Sequence, residues 1–130
     1  MRLAATAAIL CGLASPALAT EWVYCEDGNG EASFDWLAGS GLGVIQVAGM
    51  TISAWDQVWA TDAAYGPGEP VQLGQGYEDE KTVLIDAVDP DFGLVAQLRL
   101  TKASEGDSYA TGGTLRIPGY GAWAVTCEGP

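Results

Sequence analysis

Histidine is missing altogether, and only 5 of the 130 residues are Lys or Arg, against 17 Asp and Glu. Each shortage removes a class of function. Without imidazole there is no Ser-His-Asp triad, no Cys-His pair and no histidine metal ligand. A formal net charge of -12 leaves no basic face for nucleic acid or for an anionic membrane. Cysteine is scarce as well, at 3. Without His, a zinc site would have to be completed by carboxylates. A chain of this length forms one domain at most.

Long apolar runs are also rare, with one exception at the start. Met1-Arg2 is a short positive segment, and Leu3 to Leu13 is uncharged and rich in Ala and Leu. Small residues follow at Ala17 and Ala19, in the A-x-A pattern of a secretory cleavage site. The apolar stretch is shorter than the roughly 20 residues that cross a bilayer. The expectation is a signal peptide over residues 1–19 and a single β domain over 20–130. The product is periplasmic or secreted, with no membrane segment after cleavage. Cys11 falls in the middle of the apolar stretch. Leu10 precedes it, where a bacterial lipoprotein needs Gly, Ala or Ser, so Cys11 reads as a leader residue. Cleavage removes Arg2 and leaves Lys81, Arg99, Lys102 and Arg116 as the only cations.

Cys25 and Cys127 then remain. In a secreted domain an even count reads as a disulfide, here one that encloses nearly the whole chain. The alternatives are two free thiols or a bridge between chains. Both cysteines lie in β-branched and aromatic segments, Glu21 to Cys25 and Ala122 to Cys127. A bridge places the first and last strands side by side or face to face across a core.

Glycine is abundant, at 18 residues, about twice its ordinary usage of roughly 7%. The glycines cluster as Gly28/Gly30, Gly39/Gly41/Gly43, Gly66/Gly68, Gly74/Gly76, Gly112/Gly113 and Gly119/Gly121. Such clusters are expected to be turns. Short strand-like runs lie between them. Ala32 to Leu37 alternates, with Phe34 and Trp36 on one side and Ser33 and Asp35 on the other. Leu42 to Val47 is mainly apolar. Met50 to Trp55 turns Met50, Ile52 and Ala54 one way. Val58 to Ala60 prolongs that strand or begins another, and Val71 to Leu73 is a short candidate. Thr82 to Val88 is nearly all apolar. Leu94 to Thr101 alternates, with Leu94, Ala96, Leu98 and Leu100 expected inward. Asp89 to Gly93 between these two is a turn cluster, which predicts a hairpin. Thr114 to Ile117 and the Cys127 strand predict another across Pro118 to Gly121. Thr51 to Tyr65 has room for one helical turn. Gly66 to Gly76, with Glu78-Asp79-Glu80 after it, is expected to be an exposed loop. The sum is an all-β fold, a small antiparallel β-barrel or sandwich of about eight strands closed by one disulfide. Closure by the bridge favours the barrel.

Few motifs carry chemistry. Asp86, Asp89 and Asp91 surround a turn and are the candidate metal residues, with Ca²⁺ as the ion. The spacing is not that of an EF-hand, since Leu94 and Leu100 stand where the sixth and twelfth positions need Gly and Glu. Backbone capping of the turn explains the same residues. Glu26 to Glu31 is read the same way. Gly39 to Val44 lacks the last Gly of a phosphate-cradling G-x-G-x-x-G. Glu78 and Arg99 stand where a Ser-x-x-Lys dyad with Lys81 or Lys102 needs Ser. No catalytic residue is singled out. Trp22, Trp36 and Trp123 are expected in the core. Trp55, Trp59, Tyr65 and Tyr77 are the candidate binding residues, lying with Tyr120 near loops, where aromatics serve as hot spots or as plugs of a barrel end.

The leader, the first strand Val23-Tyr24-Cys25-Glu26-Asp27-Gly28 and the last strand ending in Cys127 resemble the small periplasmic inhibitors of c-type lysozyme. The resemblance covers the two chain ends and implies a β-barrel with a disulfide from the N-terminal strand to the C-terminus. In that family a Ser-Gly-x-x-Tyr loop enters the lysozyme cleft. The nearest stretch here, Thr61-Asp62-Ala63-Ala64-Tyr65-Gly66, matches the Tyr and lacks both the Ser-Gly and the basic residue. The leading expectation is a non-catalytic binding or inhibitor module for a basic protein such as a lysozyme, with no cofactor. The alternatives are a small-ligand or calcium-binding envelope protein and a carboxylate-pair hydrolase.

Overall fold

The computed structural model describes residues 21–39 and 45–129. The leader with Cys11, and the Gly39–Val44 motif beyond Gly39, lie outside the described residues, as does the start of the expected Leu42 to Val47 strand. Ten strands are described: β1 Glu21–Asp27, β2 Ala32–Gly39, β3 Gln46–Ala54, β4 Gln57–Ala60, β5 Glu69–Pro70, β6 Gln72–Glu78, β7 Thr82–Val88, β8 Leu94–Glu105, β9 Ser108–Ile117 and β10 Gly121–Glu128. A single 3₁₀ turn, Ala63–Tyr65, follows β4.

All ten strands form one sheet in the order β5-β4-β3-β2-β1-β10-β9-β8-β7-β6. Every pairing is antiparallel except β4 with β5. The two edge strands β5 and β6 are consecutive in the chain and are joined by Val71 alone, which is buried. β3 touches β6, and the side chain of Ile45, just before β3, lies over Gly76. The sheet therefore curls into a nearly closed barrel, which blunts its open edges.

Alternation decides which residues fill it. Val23 and Cys25, Phe34 and Trp36, Met50 and Ile52, Val83 and Ile85, Leu98 and Leu100, Leu115 and Ile117 all point inward and are buried. Each fully buried large side chain contributes about 1.5–3 kcal/mol. The first and last strands lie side by side. Cys25 stands directly opposite Cys127, with their Cα atoms 4.1 Å apart, and the disulfide joins them.

The structure corrects five expectations, the first being Trp22, which alternation turns to the outer face, half-buried, and not into the core. Ten strands are described, not about eight, because Gln57–Ala60 and Glu69–Pro70 are strands of their own; the Leu94 strand also runs on to Glu105 and meets Ser108 across a two-residue turn, Gly106-Asp107. Gly106 takes φ +58°, which glycine adopts without strain. Gly112 and Gly113 are not a turn but the middle of β9, where the neighbouring backbones leave no space for a side chain. Most of Gly66 to Gly76 is not a loop, since it supplies β5 and the first half of β6. Leu94 is exposed, not inward, because Val95 is an extra residue in β8. Ala87 pairs with Ala96 and Val88 with Leu94, and the bulge flips the alternation at that end.

Candidate functional site

The antiparallel meander sorts the turns into two ends. The upper end carries the turns 28–31, 55–56, 89–93 and 118–120, and the lower end carries 79–81 and 106–107. Aromatic side chains close the upper end. Trp59 points inward and is buried, and Tyr120 meets it edge-on at 5.1 Å. Trp55 and Trp123 meet edge-on at 6.5 Å, and Trp123 Nε1 donates to Glu31 Oε2 at 3.1 Å. Trp55 itself is 60% exposed, on a tight turn at φ +56°. Of the two sequence-picked tryptophans, Trp59 plugs the barrel and Trp55 sits on its rim.

Beneath them the buried Asp27 carboxylate accepts the N–H groups of Glu31 at 2.7 Å, Ala32 at 2.9 Å and Asn29 at 3.1 Å. These bonds, that from Ala32 foremost, hold Asp27 below its ordinary 3.8 against the opposing effect of burial. Asp27 is thus committed to shaping the 28–31 turn.

The other picked residues are not brought together. Tyr65 lies over Gly49 of β3, on the outer face that also carries Trp22. A Cβ on Gly49 would come within 2.6 Å of its ring, and Trp22 meets it edge-on at 5.3 Å. Tyr65 is half-buried. Tyr77 stands on the outside of β6 and donates from its hydroxyl to Asp79 Oδ2 at 2.9 Å. That bond raises the Tyr77 pKa. Asp79 is lowered, first by the Lys81 N–H.

Of the three candidate metal residues, Asp86 pairs with Arg99 Nη1 at 2.8 Å. Asp89 Oδ1 accepts the N–H groups of Asp91 and Gly93, both at 2.9 Å. The turn chemistry uses Asp89, and Asp86 belongs to a different contact. Among the described residues no group of three or more Cys, Asp or Glu is placed to hold a metal ion. Tyr77 and Asp86 do share one open recess of about 310 Å³ on the outer face of β6–β8, with Gln75, Leu84 and Arg99.

A feature not singled out from sequence is the outer face of β1, β2 and β10. Outward alternation sets Tyr24 between Asp35 on β2 and Glu128 on β10, and Glu26 between Ser33 and Thr126. Tyr24 is 54% exposed, and its ring stacks at 6.5 Å with Trp22. Asp35 is half-buried. Burial pushes it up to about 6, the Cys25 backbone opposes this, and the Glu26 charge adds to it. Between positions 21 and 80 there is no Lys or Arg. The signal for this face was present in the alternation of β1 and β2. Only the register showed that the acidic residues converge.

Asp35 carries a pH signature. A carboxyl raised in the folded state binds its proton more tightly there than in the unfolded chain. Its contribution to stability therefore falls as pH rises from about 3.8 to about 6. That interval corresponds to at most about 3 kcal/mol, and solvent screening of a partly exposed group cuts this to about 1 kcal/mol. Asp35→Asn is expected to melt higher than the parent at pH 8 by that amount, with the gain vanishing by pH 4. Thermal melts across the range test this, and a variant equally or less stable at pH 8 refutes the burial account.

No family model, curated protein or solved structure matches the chain.

Proposed function

We propose that this protein is a binding module that docks a basic protein through the outer face of β1, β2 and β10. One observation carries the reading. Tyr24 is an exposed aromatic anchor framed by Glu26, Asp35 and Glu128, in a stretch of chain without a single cation. All the cations after Arg2 lie at Lys81 or beyond, on the β7–β9 side. Such one-sided charge steers a basic partner to one face and raises the rate of encounter. An aromatic at the centre then supplies contact area. Asp35, half-buried and without a Lys or Arg between positions 21 and 80, gains from a partner's Lys or Arg.

A c-type lysozyme is the basic probe of choice. Binding is expected to be saturable at low ionic strength and weaker by on the order of tenfold or more at high salt, as the Debye length shrinks from about 10 Å to 3 Å. Glu26→Lys is expected to slow association and flatten the salt dependence. Calorimetry or surface-plasmon titration reads both. Absence of saturable binding at low salt to lysozyme and to a second basic protein, or indifference to Glu26→Lys, refutes the proposal.

A further inference from the structure

The lower end of the barrel differs from the plugged upper end. Two buried hydrogen-bonding atoms, Trp36 Nε1 and Thr111 Oγ1, have no partner among the described residues. Trp36 is only 2% exposed. Leaving a buried donor unpaired costs about 1–3 kcal/mol, so such a group points to something that satisfies it. Both residues line one small cavity of about 10 Å³ inside the lower mouth. That is about the space of a single water-sized group. Thr111 stands across from Lys102 on β8, and Trp36 across from Val23 on β1. The walls include Val23, Val83 and the Cys127 end of the disulfide, with Glu78 and Lys102 at the opening.

Lys102 guards this throat. Its ammonium donates to Glu78 Oε2 at 2.7 Å and to the Asp79 carbonyl at 3.0 Å. An ammonium has three protons to give. Glu78 is the more exposed partner of the pair, its side chain 40% accessible against 19% for Lys102. Lys102 and Tyr109 also line an open recess of about 640 Å³, together with Glu80, Lys81, Ala103 and Ser104. Two of the four cations after Arg2 thus stand at this mouth, among Glu78, Asp79 and Glu80.

We propose that this mouth binds a small organic monocarboxylate, head first. An indole N–H is a donor only, so the guest atom that meets Trp36 is an acceptor. One carboxylate oxygen fills the water-sized space and accepts from both the indole of Trp36 and the hydroxyl of Thr111, while the other faces Lys102. The narrow throat admits that one oxygen, and the rest of the guest lies in the wider recess beside Tyr109. Glu78 yields its place on Lys102 to the guest and turns to water. Barrel mouths with a few convergent polar groups on apolar walls are a common site for small ligands. This site lies at the barrel's end and is independent of the outer face proposed to dock a protein.

The test is a titration of the oxidised, ¹⁵N-labelled full chain with sodium butyrate, with sodium chloride at matched ionic strength as control. The indole N–H resonance of Trp36, assigned with Trp36→Phe, is expected to move saturably with butyrate and not with chloride. Thr111→Val keeps the shape of the side chain and removes the hydroxyl. It is expected to weaken binding on the order of tenfold, the loss of one charge-assisted hydrogen bond. If Trp36→Phe does not fold, the indole signal is assigned by its nuclear Overhauser contacts to Phe34. A Trp36 signal that does not move, or moves without saturation, overturns the proposal and leaves a single water as the occupant. Equal affinity for butyramide overturns the carboxylate assignment. Unchanged affinity in Thr111→Val overturns the placement.

Discussion

Reduction of the Cys25–Cys127 bridge is expected to lower the stability of the domain by about 2–5 kcal/mol. The two cysteines lie 102 positions apart, so the bond closes almost the whole domain into one loop. On the chain-entropy account a loop of ~100 residues contributes about 4.7 kcal/mol, by restricting the unfolded chain. Small domains have only about 5–15 kcal/mol in total. At about 4–8 °C per kcal/mol in domains of similar size, the melting temperature falls by roughly 10–30 °C. The Cys25→Ala/Cys127→Ala double variant is expected to behave like the reduced parent. Calorimetry with and without reductant checks both. The β1–β10 hydrogen bonds remain in either case, and a drop of less than about 4 °C would mean that they alone hold the closure.

Gly113→Ala is expected to cost about 3 kcal/mol or more. Gly113 lies in mid-β9, paired with Leu100 on one side and Val125 on the other. A Cβ there would run into the carbonyl of Arg99 and come within 2.9 Å of the Leu100 Cα. These are backbone atoms of a paired strand, so no rotamer change relieves the clash. Strands β8 and β9 have to separate, and the layer of Leu98 and Leu115 beneath them loosens. Gly28→Ala is the control. Nothing lies within 4 Å of its added methyl, and its effect is expected to stay within about 0.5 kcal/mol. Urea titration of both variants gives the comparison. Equal midpoints would contradict the close approach at Gly113.

How far the sequence carries depends on whether a feature is local. Phe34 and Trp36, or Met50, Ile52 and Ala54, announce their inward face by alternation alone, and the structure buries each of them. The bridge was legible from two cysteines in strand-like surroundings. Leu94 was misread because a bulge is set by the partner strand, not by the residues that form it. Gly112 and Gly113 were misread because glycine serves both turns and crowded sheet interiors, and only the position of β8 tells which. The hairpin at Gly106-Asp107 had its signal in that dipeptide, hidden by a polar flank of Ser, Glu and Lys. Trp36 and Thr111 could not be linked from sequence at all, since their shared cavity arises only when the ring of strands closes. The same holds for Asp35, whose proximity to Glu26 depends on the β1–β2 register.

The ring has one further consequence. Every antiparallel neighbour in the sheet is also a neighbour in the chain, except β1 and β10. Hairpins of that kind need only short excursions of the chain and form early. The β1–β10 seam needs the longest excursion, and non-local pairing is what slows the folding of all-β domains. The disulfide spans that seam. Once oxidised, the chain begins each refolding event with its most distant encounter already made, so the bond sets the pace of folding as well as the depth of the native state.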